Sequence, residues 1–222
     1  MAGMRYTWNP NKPAGSRIES VTVFNGTAYV PLQEDAVYKV VTNNFMRTGG
    51  DGYTVFEDYA IDPYDAGPPL DQAVMDYIEA FSPIAPAIEG RITGPDIVVY
   101  PLELSQELIA GNTVSDTLTI LNMGDVTRTW NLTQTTVVDW LTMTPTSGVL
   151  PPEEGVITGT VTLFLPDSVD VELTFDASGL DEGVYTTTLE VTSDAEEPAV
   201  NVPVTLTVNL VKIYLPLVMK NF

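Results

Sequence analysis

At 222 residues with 44% hydrophobic content, the chain suits one large or two small domains and is apolar enough to bury a core. Thirty acidic residues against nine basic ones give a net charge of −21, which repels phosphodiester backbones and anionic lipid surfaces and argues against a nucleic-acid partner. Cysteine and histidine are both absent, which excludes disulfides and any histidine-based chemistry on these residues. No apolar run approaches the ~20 residues that a membrane-spanning helix needs.

The charge is uneven along the chain. Residues 1–92 carry 12 acidic and six basic residues, net −6, whereas residues 93–222 carry 18 acidic and three basic, net −15. Only the first part mixes helical and strand-like periodicity, so the spacing predicts a domain over 1–92, a linker over 93–95 at Thr93-Gly94-Pro95, a second domain over 96–209 and a tail over 210–222.

Arg5 to Trp8 reads as a short strand, closed by Asn9-Pro10-Asn11-Lys12-Pro13-Ala14-Gly15, whose two prolines cannot continue a ladder. Ile18 to Phe24 and Thr27 to Val30 flank Asn25-Gly26, the dipeptide of a type I′ hairpin turn. Val37 to Thr42 predicts a further strand that runs towards Phe45. Gly49, Gly50 and Gly52 then break it around Asp51, where missing Cβ atoms let a ligand come close to the backbone. Leu70, Val74, Tyr77, Ile78 and Phe81 recur at helical spacing. Asp71 suits the positive end of that helix, and Ser82-Pro83 stops it. Ala85 to Ile92 returns as an extended segment.

Tyr6-Thr7-Trp8-Asn9-Pro10, Lys12 to Arg17, Tyr38 to Tyr53 and Pro86 to Ile92 together resemble, in order, the carboxy-terminal substrate domain of the 5′-nucleotidase family. The resemblance implies a partial α+β domain over 1–92 that recognises a nucleoside or nucleotide. By position, Phe45 would be one of two rings that stack the base, and Asp51 the acceptor of the ribose hydroxyls, with Gly49 and Gly50 admitting the sugar. A ring stacked on a base contributes about 1–3 kcal/mol and tolerates different bases. The resemblance places the second ring, the arginines that hold phosphate, and a metallophosphoesterase domain with two divalent metal ions upstream of Met1. These residues themselves then hold no metal or other cofactor and carry no catalytic group. Arg47, Arg17 and Arg91 are read as surface or salt-bridge residues, Arg47 being the exposed neighbour of a glycine turn.

From Asp96 to Asn209, β-branched and polar residues alternate in short runs: Ile97–Tyr100, Ser115–Leu121, Thr127–Gln134, Leu141–Thr144, Ile157–Leu165, Val171–Phe175, Tyr185–Thr192 and Asn201–Val208. Turn clusters separate them, among them Pro145-Thr146-Ser147-Gly148. The pattern predicts an all-β antiparallel sandwich. Asp139-Trp140-Leu141 with Gly183 to Leu189 and Val202 to Val208 resembles an immunoglobulin-like domain of the BACON type, with an extra strand-like run over Val156 to Leu165. Trp130 and Trp140 are read as core anchors, with sugar stacking as the alternative. Asp176, Asp181 and Glu182 miss the D-x-D-x-D-G spacing of a calcium loop and read as turn residues. The tail Lys212 to Phe222 resembles endings of exported bacterial proteins; the equal alternative is a final edge strand packed on the sandwich, since Pro216 forbids a continuous helix and the run is too short to span lipid. The reading as a whole is the recognition portion of a secreted or cell-surface 5′-nucleotidase. The alternative is a non-catalytic cell-surface spacer or carbohydrate-binding module.

Overall fold

The computed structural model describes residues 3–84, 89–152, 154–158 and 161–211. Residues 85–88 of the expected extended segment at 85–92 and all of the tail from 212 onward lie outside the described residues.

The first region contains a four-stranded sheet ordered β3-β2-β1-β4, formed by β1 (Met4–Trp8), β2 (Ile18–Phe24), β3 (Tyr29–Pro31) and β4 (Ile92–Thr93). β4 lies parallel to β1, with Thr7 opposite Thr93, while β1-β2 and β2-β3 are antiparallel. The predicted hairpin forms, but its turn is wider than a two-residue type I′ turn. Phe24 pairs with Tyr29, and the intervening loop is closed by Asn25, whose side-chain oxygen accepts from the N–H groups of Thr27 and Ala28 at 3.0 Å each. This is an Asx-type turn, in which the side chain replaces a backbone acceptor.

The strand expected over Val37–Thr42 is absent. Val40 and Val41 are exposed and no neighbouring strand pairs with them, so β propensity alone has nothing to satisfy the backbone. Helix α1 (Asn44–Arg47) follows, capped by the Asn43 side chain, which accepts from Met46 N at 2.8 Å. Helix α2 (Val55–Asp58) is similarly short. Helix α3 spans Leu70–Phe81, the predicted bounds, with Asp71 in its first turn and Ser82 extended before Pro83. Its apolar stripe is present in sequence but is left largely open: Leu70, Val74, Tyr77, Ile78 and Phe81 are all exposed, and the rings of Tyr77 and Phe81 lie 4.7 Å apart, one turn on.

No described residue before Asp96 is buried. The α+β domain expected over 1–92 is thus present as separate elements without a shared core, and hydrogen bonding rather than burial organises it.

The second region is a two-layer β-sandwich. One sheet is ordered β10-β8-β14-β15-β6, formed by β10 (Ser147–Leu150), β8 (Arg128–Gln134), β14 (Gly183–Ser193), β15 (Val200–Asn209) and β6 (Leu104–Ile109). The other is ordered β5-β7-β13-β9, formed by β5 (Ile97–Tyr100), β7 (Thr113–Asn122), β13 (Asp167–Asp176) and β9 (Leu141–Thr144). All pairings are antiparallel except β15 with β6. Alternate residues face the core, as in Val171, Leu173 and Phe175 on β13 and Val202, Val204, Leu206 and Val208 on β15. Each such side chain, fully buried, contributes about 1.5–3 kcal/mol.

Two strands were not predicted and one predicted run divides. β6 hides its alternation because polar Gln106 occupies an inward position, where its amide donates to Asp116 at 2.7 Å. β10 falls in a segment that reads as a turn because it contains Gly148. A Cβ there would lie 2.9 Å from the indole nitrogen of Trp130, so the buried ring requires glycine inside this strand. The run Ile157–Leu165 resolves into a hairpin of its own, β11 (Glu154–Thr158) with β12 (Val161–Leu165), separate from both sheets.

Asn122 is the fully buried polar residue at the end of β7. Its amide nitrogen donates to the carbonyls of Val126 (2.9 Å), Leu150 (3.0 Å) and Pro151 (2.7 Å), and its oxygen accepts from Gly124 N at 3.0 Å. One side chain thus ties together the turn after β7 and the chain leaving β10.

Candidate recognition site

The four residues expected to bind a nucleoside lie in one compact segment made by α1 and the turn after it. Phe45 is on α1, not at the end of a strand, and 56% of its surface is exposed. Gly49 has φ 82° and Asp51 φ 54°, both left-handed, and together with Gly50 they form a tight 3-10 turn over Gly50–Gly52. The reversal brings Gly50 onto Phe45. A Cβ on Gly50 would sit 2.5 Å from the Phe45 carbonyl oxygen and 2.6 Å from two of its ring carbons. The ring therefore rests on bare backbone immediately before Asp51, whose side chain is exposed. An open aromatic face beside a carboxylate can stack a planar base and accept hydroxyl protons.

Arg47 is not the exposed residue expected. Its guanidinium donates to Phe56 O at 2.8 Å, and its Nε lies 3.2 Å from Asp65 Oδ1, a charge contact without hydrogen-bond alignment. These contacts tie α1 to the α2 segment, where Tyr53 and Phe56 stack with centroids 6.1 Å apart. Arg17 donates to Lys12 O, and Arg91 pairs with Glu89 at 3.2 Å, in keeping with structural roles. A shallow polar groove of about 160 Å³ lies on the first sheet, bordered by Arg5, Thr7, Ser20, Thr22 and Thr93. None of Phe45, Gly49, Gly50 or Asp51 lines it.

Among the described residues the sandwich has no comparable open ring beside a carboxylate turn. Trp130 is 1% exposed and Trp140 7%, the latter stacked on Phe175 at 6.3 Å, so neither ring is open to a sugar. Asp176 is held below the usual carboxylate range by the hydroxyl and backbone N–H of Ser178, the bonding of a turn former. Among the described residues no three acidic, histidine or cysteine side chains converge to hold a metal.

Comparison with known proteins bears on this segment directly. Residues 1–58 match the family model of the 5′-nucleotidase C-terminal domain. The match includes the whole Phe45–Asp51 turn. Relatives extend it: a "5′-nucleotidase-related protein" of Glossina morsitans morsitans is 38% identical over 97 residues, which is 42% of this chain and 17% of that protein. A snake venom 5′-nucleotidase of Macrovipera lebetinus is 31% identical over 108 residues, 47% of this chain and 26% of that protein. The human 5′-nucleotidase is 32% identical over 96 residues, 41% of this chain and 17% of that protein. The chain thus spans a sixth to a quarter of the length of these curated relatives. Among solved structures, the PapD-like domain 7 of human CEP192 aligns with a TM-score of 0.43 at 13% identity, covering 60% of this chain and 99% of that domain. The YadV chaperone aligns with a TM-score of 0.36 at 13% identity, covering 52% of each chain. Among the described residues no helix is long and apolar enough to cross a membrane.

Proposed function

We propose that this chain is the substrate-recognition portion of a secreted or cell-surface 5′-nucleotidase, followed by an immunoglobulin-like spacer of the BACON type. In this reading Phe45 stacks the base, Asp51 accepts the ribose hydroxyls, and Gly49 and Gly50 allow the sugar to approach. Hydrolysis of nucleotide to nucleoside and phosphate is assigned to a metallophosphoesterase domain outside these residues, with two divalent ions supplying the activated water. The contribution of this chain is positioning, which converts an encounter between nucleotide and catalyst into an oriented one. The single observation that carries the proposal is that the match to the 5′-nucleotidase C-terminal domain runs through residues 1–58 and so contains the turn in which an exposed ring sits against the glycine preceding an exposed aspartate. The venom origin of one relative supports export.

One ring and one carboxylate supply only a few kcal/mol, so the affinity of this chain for adenosine falls in the millimolar range. The test is a titration of the isotope-labelled chain with adenosine, followed by amide chemical shifts. Saturable shifts at Phe45, Gly49, Gly50 and Asp51, lost in Phe45→Ala, are expected. No change at these amides up to about 10 mM adenosine would overturn the assignment.

A further inference from the structure

The junction between the two regions is built more tightly than a linker. β4 ends at Thr93, whose hydroxyl meets that of Thr7 at 3.1 Å, and the sandwich begins at Asp96, leaving Gly94-Pro95 between them. A Cβ on Gly94 would lie 2.8 Å from the Trp8 carbonyl oxygen, so the connection passes directly against the end of β1. Asp96 is fixed on three sides. Its N–H donates to Glu197 at 2.6 Å, its carbonyl accepts from Met123 N at 2.7 Å, and its carboxylate pairs with the Arg128 guanidinium.

A second connection, distant in sequence, crosses the same junction. β5 is an edge strand, and its outward-facing backbone groups would otherwise be free to pair with another chain. Asn11, in the loop between β1 and β2, occupies that edge. Its side-chain Nδ2 donates to Ile97 O at 2.7 Å, and its Oδ1 accepts from Val99 N at 2.9 Å. One amide thereby supplies the donor and the acceptor that a neighbouring strand residue would present opposite Val98. The loop that carries it is braced from behind. Asn11 N donates to Asn9 Oδ1 at 3.0 Å, Asn9 Nδ2 donates to Glu19 at 2.9 Å, and the Lys12 ammonium pairs with Glu19 at 2.7 Å.

We propose that Asn11 is a docking residue whose side-chain amide substitutes for a strand on the β5 edge, joining the first sheet and the sandwich into one rotating body and closing that edge to strand addition by other chains. The partner surface is the chain's own β5 backbone, recognised through a paired donor and acceptor and not through side-chain identity. The position needs a donor and an acceptor on one side chain: aspartate would set an acceptor against the Ile97 carbonyl, and alanine would supply neither bond.

The full chain, labelled with nitrogen-15, tests this. In the wild type, spin relaxation is expected to give the amides of β1 and β2 the same rotational correlation time as those of β7 and β13, and a nuclear Overhauser contact is expected between the Asn11 side-chain amide protons and the Val98 backbone. In Asn11→Ala, exchange of the Val99 amide with solvent is expected to accelerate about tenfold, the worth of one ordinary hydrogen bond, while amides paired between β7 and β13 hold their protection. Separate correlation times in the wild type, absence of the Asn11–Val98 contact, or Val99 exchange unchanged by the substitution would each overturn the proposal. The first two readouts need no variant, so poor folding of Asn11→Ala does not shield it.

Discussion

Gly50→Ala is the substitution that most directly interrogates the recognition turn. The added Cβ would lie 2.6 Å from two ring carbons of Phe45, and ordinary contact begins at 3.4 Å, so the ring must withdraw by about 0.8 Å. The Phe45 carbonyl, 2.5 Å from the same position, must also move, which loosens the 3.2 Å bond it accepts from the Thr48 hydroxyl. Under the proposed assignment, a ring displaced by that amount no longer offers its face beside Asp51, and the stacking contribution of about 1–3 kcal/mol is lost. The expected outcome is a loss of adenosine affinity of at least about fivefold, so that the amide shifts no longer approach saturation at about 10 mM, with the sandwich resonances unchanged. Phe45→Ala is the companion measurement. If Gly50→Ala bound adenosine within about twofold of the wild type while Phe45→Ala lost binding, the claim that Gly50 seats the ring would be refuted.

Other predictions concern the scaffold. Asn122→Ala orphans the buried Leu150 carbonyl and Gly124 N–H and is expected to lower sandwich stability by about 3 kcal/mol in urea denaturation; an unshifted midpoint would show that water replaces the amide at no cost. Trp130→Ala empties a core position and is expected to cost about 3–5 kcal/mol, read as a lowered urea midpoint. Acidification is expected to loosen the Asn9–Arg17 loop. The Glu19 carboxyl is held below its ordinary value of 4.5, first by the hydrogen bond from Lys12 and then by that from Asn9. A depressed folded-state value means that its contribution is present above about 4.5 and is lost as pH falls through the lower, folded value. Movement of the Asn9 and Lys12 resonances in that window, abolished by Glu19→Gln, is the readout.

Much of this architecture is legible in the residues, in proportion to how local its causes are. The apolar spacing from Leu70 to Phe81 and the proline after Ser82 give α3 its observed bounds, and Ile97–Tyr100 and Leu141–Thr144 emerge as strands without adjustment. What was not legible depends on partners remote in sequence. Val37–Thr42 has strand composition and no neighbour to pair with, while β10 has a turn-like composition and a neighbour, Trp130, that demands its glycine. The candidate site divides in the same way. The residue types and the Phe45 to Asp51 spacing are visible in the chain, but α1 is not, because its stabilising device is a single cap at Asn43. Nor does any pattern announce that Asn11, one polar residue in a proline-rich loop, reaches residues 97 and 99.

The pairing of β15 with β6 also fixes where the polypeptide enters and leaves the sandwich. Asp96 is bonded to Glu197, beside the start of β15, while Asn209 closes the far end of that strand next to Ile109. Ten strand residues rise about 33 Å, so the points of entry and exit sit at opposite poles of the layer pair. Asn209 itself is held some three nanometres from the junction at Gly94-Pro95, a standoff maintained by hydrogen-bonded sheet.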